Sequence, residues 1–295
     1  MKSLLKRAFQ RLSRVMLNEA EERLYREAVV QKALMQQYRS QASGDRGGLL
    51  SLKDVGFRKY SQFEEDGILL YIFSLISPTN RVCVELCAGD GRTCNTANLI
   101  INHGWWGHLF DGLEAHVRLG KAFYSQLADT CFYPPRFTHA WITAENVNEL
   151  ILGSGATGSI DLLSLDVDGN DYWIWKAIEV IQPRVLVCEV NRVIPPDKSL
   201  TIPYDAAFIA DPGIYTGASF FNGASLKAMC RLSEEKGYRL VGAGRYGVNA
   251  FFVRCGIVED LLPAVDVDSC QQDPSTREVR SAGWPKAQFY PWQEV

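Results

Sequence analysis

An α/β fold built on a doubly wound, mostly parallel sheet is what this sequence predicts, and three observations carry that reading. Short β-branched apolar runs alternate with segments of helical periodicity from about residue 60 onward. One of those runs, Val82-Cys83-Val84-Glu85-Leu86, leads through Cys87 and Ala88 into the turn Gly89-Asp90-Gly91. The last two runs are joined by the tight link Gly242-Ala243-Gly244-Arg245-Tyr246-Gly247, which predicts an antiparallel hairpin at one edge of the sheet. Seven strands result, in a Rossmann-like arrangement.

The elements follow in order. Leu4, Leu5, Ala8, Phe9, Leu12, Val15 and Met16 recur at helical spacing, so residues 2–40 read as one or two helices. The stretch 41–48, rich in Gly, Ser and Asp, reads as a linker. A helix over 61–77 precedes a strand at 81–87 and a helix at 93–103. Next come a strand at 106–111, a helix near 116–127, a strand near 136–142 and a short helix after Thr143. A strand at 160–166 leads to a helix at 170–181 and a strand at 184–190. A Pro- and Gly-rich excursion fills 194–222, before a helix at 223–236 and strands at 238–243 and 247–254. Residues 263–295, with their prolines and aromatic residues, read as an irregular tail. The expected organisation is thus a helical extension over 1–46, a cofactor-binding domain over 47–262 and the tail.

Composition narrows the function. A net charge of −3 gives no global basic footprint for nucleic acid. Residues 1–46 nevertheless hold ten Lys/Arg against five Asp/Glu. That basic helical segment reads as an oligomerisation or docking helix, with attachment to a membrane surface as the other reading. The eight cysteines form no CxxC pair and no Cys/His cluster, which argues for a reducing compartment and against structural zinc. No signal peptide and no apolar stretch of 18 residues is found, so the expectation is a cytoplasmic protein, compatible with peripheral docking at the inner membrane face.

The glycine turn is the most informative site. Strand, tight turn and helix start let a nucleotide-like ligand approach bare backbone. A dinucleotide motif GxGxxG would need a third glycine where Cys94 stands, and Asp90 would repel a pyrophosphate. A cation such as the sulfonium of S-adenosylmethionine (SAM) would be favoured instead. Glu85 and Asp90 are the acids of this turn; the plainer reading of the stretch from Asp90 to Thr93 is helix capping. Asp111, 22 positions beyond Gly89 and followed by Gly112, stands where a doubly wound domain places an acid on ribose hydroxyls, though Asp-Gly is also a turn signal and Glu114 competes.

Asp166 and Asp168 follow the fourth strand, Glu189 and Asn191 the fifth, so all four are expected beside the cofactor. Their oxygens suit Mg²⁺ or Ca²⁺; alternatively one acid, Asp166 first, is the base that takes a hydroxyl proton. His139, ending the third strand, is a second base candidate or a structural histidine. Trp105, Trp106, Trp173 and Trp175 read as packing residues.

Ser61-Gln62-Phe63-Glu64-Glu65-Asp66-Gly67, the Glu85–Gly91 turn, Leu165-Asp166-Val167-Asp168-Gly169 and Gly223-Ala224-Ser225-Leu226 together resemble the FkbM-type SAM-dependent methyltransferases over residues 60–254. The resemblance implies the class I methyltransferase fold and O-methylation of a sugar, glycoconjugate or natural product. It implies contact of the acidic turn with the amino acid end of SAM, and a part for Gln62 and Asp66 in closing the cofactor pocket; acids at a helix start also favour the dipole on their own account. The long acidic Asp-Val-Asp-Gly-Asn-Asp turn departs from the plainer Asp-x-Glu-Gly associated with that family. The 194–222 excursion would shape the pocket of a small-molecule or glycan acceptor. Two other classes compete: an NAD-linked sugar oxidoreductase, which the missing third glycine disfavours, and a non-catalytic interaction protein on the same fold.

Overall fold

The computed structural model describes residues 27–44 and 49–295, so the amphipathic stretch at 4–16 and residues 45–48 of the linker lie outside the described residues. A first helix, α1, covers 27–43. It is docked rather than tethered: Gln31 and Asn98 exchange amide hydrogen bonds of 3.1 and 3.0 Å, and Tyr38 stacks edge-on against Tyr71 at 5.0 Å.

The sheet is built as its apolar runs require. Strands β1 (Val82–Leu86), β2 (Trp106–Asp111), β3 (Arg136–His139), β4 (Gly158–Leu165) and β5 (Ile181–Glu189) are parallel. A two-residue strand, β6 (Leu200–Thr201), lies in the excursion. Strands β7 (Tyr238–Ala243) and β8 (Asn249–Arg254) form the expected hairpin. The seven-stranded order is β3-β2-β1-β4-β5-β8-β7, with β8 antiparallel to β5. Alternate residues face opposite sides. Cys83, Leu109, Leu162 and Val185 pack under α3 (Glu65–Ile76) and α4 (Ala97–His103). Val84, Phe110, Leu163 and Leu186 pack under α6 (Val147–Ser154), α7 (Asp171–Ala177) and α8 (Leu226–Glu235). The single turn α2 (Leu52–Val55) precedes α3, and α5 (Glu114–Gln126) follows β2. No helix among the described residues is long and apolar enough to cross a membrane.

Two expectations are corrected. The helix after the glycine turn begins at Ala97, four residues late, because residues 92–96 form an irregular loop. The tail is not irregular: it holds α9 (Val267–Cys270), α10 (Pro274–Ala287) and a strand, β9 (Gln293–Glu294). Asp273 caps α10 by accepting from Ser275 N, and Pro274 fits its first turn, so the start signal was present; Pro285 near the end masked the rest. β9 pairs with β6, tying the tail to the excursion.

Candidate active site

Three left-handed residues within five, Cys87, Gly89 and Gly91, curl the chain at the carboxyl end of β1. The two glycines serve different ends. A Cβ on Gly91 would stand 2.7 Å from Phe137 and 2.9 Å from Tyr124, so packing demands glycine there. A Cβ on Gly89 would meet nothing within 4 Å: its backbone is open to an approaching ligand.

The acids of this turn do not face the cleft as expected. Glu85 points inward, where Oε1 accepts from Asn95 N (2.8 Å) and Ser164 Oγ (3.1 Å), and Oε2 accepts from Thr96 N (2.9 Å) and the Thr96 hydroxyl. It caps the start of α4 from a neighbouring strand, because Thr96 supplies no side-chain cap of its own. Asp90 turns to Arg92, 3.2 Å away, so its charge is answered locally. Asp66 is buried, and its Oδ2 accepts from the backbone N–H groups of Lys59, Tyr60 and Ser61 at 2.6–2.8 Å. It shapes the loop that carries Gln62 and Phe63 to the cleft wall.

Asp111 ends β2 as expected. Its Oδ2 accepts from Gly89 N (2.8 Å) and its Oδ1 from Leu113 N (2.8 Å), so it links the glycine turn to the start of α5. Gly112 leaves room for the ring of Trp141, which a Cβ there would approach to 3.2 Å. Leu113 and Trp141 are 58% and 51% exposed, an apolar pair on either side of that turn. The sequence reading missed both; a leucine and a tryptophan just beyond strand ends were the available signal. His139 is not brought to the acids. β1 and β2 lie between β3 and β4, about 14 Å of sheet, and its Nε2 contacts Gly112 O at 3.1 Å. The base role for His139 is therefore dropped.

Asp166, Asp168 and Glu189 do converge. Carboxylate oxygens of the three lie within 4.8 Å of one another at the carboxyl ends of β4 and β5. The turn that presents them is held by Asp171, whose oxygens accept from Val167 N (2.9 Å) and Gly169 N (3.1 Å), with Asp168 in the left-handed region at φ 56°. Burial, then repulsion from Asp171 and Asp168, pushes the Asp166 carboxyl up to about 8. Glu189 is raised as well, by burial and then by Asp166. Their carboxyls are close enough to repel one another and to titrate as a pair. Asn191 is not a fourth ligand: its Nδ2 donates to Phe220 O and Asn222 O, and its Oδ1 accepts from Val193 N, bracing the excursion.

These residues border a cleft of about 620 Å³, with Gln62, Phe63 and Gly89 on one side and Phe220 and Asn222 of the excursion on the other. The excursion is pinned over the adjoining turn. Trp141 Nε1 donates to Ala206 O, Asn170 Nδ2 to Asp205 O and Trp173 Nε1 to Ile202 O, at 2.8–2.9 Å. Phe208 fills the space that a Cβ on Gly169 would need. Val279 brings α10 into the wall of the cleft.

No protein-family model matches the chain, and no curated protein does. Among solved structures it is similar to a SAM-dependent methyltransferase from Clostridium acetobutylicum (10% identity, 64% of this chain and 89% of that one, TM-score 0.40). It is also similar to the methyltransferase domain of bacterial CtHen1-C (11% identity, 64% and 97%, TM-score 0.42). A third is the glycopeptide N-methyltransferase MtfA complexed with S-adenosyl-L-homocysteine (10% identity, 69% and 95%, TM-score 0.40). Likenesses this distant carry no functional argument, and the fold rests on the strand order itself.

Proposed function

We propose that the chain is an FkbM-type O-methyltransferase that moves a methyl group from SAM to a hydroxyl of a sugar, glycoconjugate or natural product. The observation that carries the reading is the Asp166–Glu189 pair beside the open backbone of Gly89. SAM, when bound, supplies a methyl made electrophilic by its sulfonium. The residues present fit it. Gly89 leaves room for close approach, Asp111 Oδ2 retains one lone pair for a ribose hydroxyl, and Leu113 and Trp141 offer apolar faces to a flat base. The acidic cluster favours a cation at the cleft floor.

An unactivated hydroxyl must lose its proton as the new O–C bond forms. Burial and mutual repulsion raise both carboxyls, and in the singly protonated pair one carboxylate is left to accept the acceptor's proton. Asp166 is the base in this reading, and the excursion at 194–222 orients the acceptor. A second reading has its own support, since the spacing of the Asp166, Asp168 and Glu189 oxygens suits a hard divalent cation such as Mg²⁺. Those three residues would hold it, and the ion would lower the pKa of a bound hydroxyl.

Calorimetric titration with SAM, S-adenosylhomocysteine and NAD, in EDTA and again with Mg²⁺, tests the proposal. One saturable site for SAM and its product is expected, without NAD binding. Tight NAD binding would point to the oxidoreductase, and no nucleotide binding at all to a non-catalytic scaffold. Methyl transfer that survives EDTA favours the proton-sharing pair over the metal.

A further inference from the structure

At the opposite end of the strands, where β1 and β2 begin, α1 roofs a second hollow of about 320 Å³. Three separate segments give it polar side chains. Lys32, Gln36 and Arg39 come from one face of α1, at helical spacings of four and three. Arg81 comes from the entry to β1, and His103 from the end of α4. No carboxylate among the described residues lines it. Among the described residues, Lys32, Arg39 and Arg81 make no ion pair; Glu27, five residues before Lys32, pairs with Lys59, and Asp161, which accepts from Arg81 N, pairs with Arg184.

The positive charges bear on one spot. Burial, then Lys32 and then Arg81, holds the His103 imidazole down to about 4. Arg39 is fixed by its Nε, which donates to Ser74 O at 3.0 Å, leaving its terminal nitrogens for another partner. Arg81 sits in the left-handed region at φ 56°, a conformation costly for a long side chain, held there by Asp161 Oδ2 accepting from its N–H at 2.7 Å. The buried rings of Phe73 and Trp105 give the hollow an apolar floor.

We propose that this hollow binds a phosphate monoester, carried either by a soluble metabolite or by a lipid headgroup. A dianion with three oxygens can meet three cations, Lys32 and Arg39 from α1 and Arg81 from the entry to β1, and guanidinium groups pair with phosphate through two parallel bonds. The apolar floor suits the carbon skeleton beside the phosphate. The assignment is independent of the chemistry in the cleft.

The test uses the full chain, the Lys32→Gln variant and the double variant Lys32→Gln/Arg81→Asn. Asparagine tolerates the left-handed backbone at position 81, and Lys32 is exposed on a helix, so both folds should persist. Each protein is titrated calorimetrically with glycerol 3-phosphate at low salt. Each is also floated with phosphatidylcholine vesicles, plain or doped with phosphatidic acid. Saturable binding of the soluble ester that weakens about tenfold or more in the double variant supports a metabolite site. Flotation with phosphatidic acid that falls in the same variant supports a headgroup site. If the variants match the wild type in both assays, the proposal is overturned; flotation indifferent to Lys32 and Arg81 would belong to the basic segment before α1.

Discussion

At the amino end of β4, Asp161 is fully enclosed and fully answered. It accepts from the N–H groups of Thr79, Asn80 and Arg81 at 2.7–2.9 Å and from Arg184 Nη1 at 3.0 Å. Burial alone would raise its pKa, but those bonds outweigh it and hold the carboxyl below its ordinary value. Five residues along the same strand direction, Asp166 is crowded by Asp168, Asp171 and Glu189, and burial with that repulsion outweighs the backbone hydrogen bond it accepts from Asp168, so its pKa rises. One end of the strand is a clamp that stabilises the sheet. The other keeps a repulsion that folding does not require, which is the arrangement chemistry uses.

The clamp should break hardest. Asp161→Ala leaves Arg184 and three backbone donors without their carboxylate, and should cost about 3–5 kcal/mol in urea unfolding. A loss under about 1 kcal/mol would mean the amino end is no clamp. Asp111 lies between the extremes, a strand-end acid met by two backbone N–H groups and by His116 Nδ1 (3.1 Å) yet beside the open glycine turn. Asp111→Ala should weaken SAM binding by about 1–3 kcal/mol. Unchanged affinity in a folded variant would assign Asp111 to structure alone.

How much of this was legible in the sequence follows from the range of the interactions. The strands, the glycine turn and the edge hairpin depend on local periodicity and on residues within a few positions of each other, and they were read correctly. The convergence of Asp166, Asp168 and Glu189 followed from the rule that ligands gather at the carboxyl ends of parallel strands. What failed was the direction of individual side chains. Glu85 caps a helix ten residues on, and Asp66 folds back on the three residues that begin its own loop. Neither partner is marked by any pattern. The position of His139 depends on strand order, which places β3 at the far edge, and the pairing of Thr201 with Gln293 spans most of the carboxyl-terminal third.

The contrast within β4 is most directly tested by stability against pH. Asp166 and Glu189 hold protons more tightly folded than unfolded, so their contribution is complete below about pH 4; the Asp166 part is lost as pH rises through about 8, and the Glu189 part as pH rises through its own raised value. The Asp161 contribution has the opposite sign, present above about pH 4 and lost on acidification. Urea unfolding of the wild type and of Asp166→Asn, in EDTA at about pH 5 and about pH 9, isolates the carboxyl end. The wild type should lose more stability between the two than the variant does, because the amide removes one of the ionisations and relieves Glu189. Equal losses in the two proteins would show that Asp166 ionises without penalty, and the account of the cleft floor would fall.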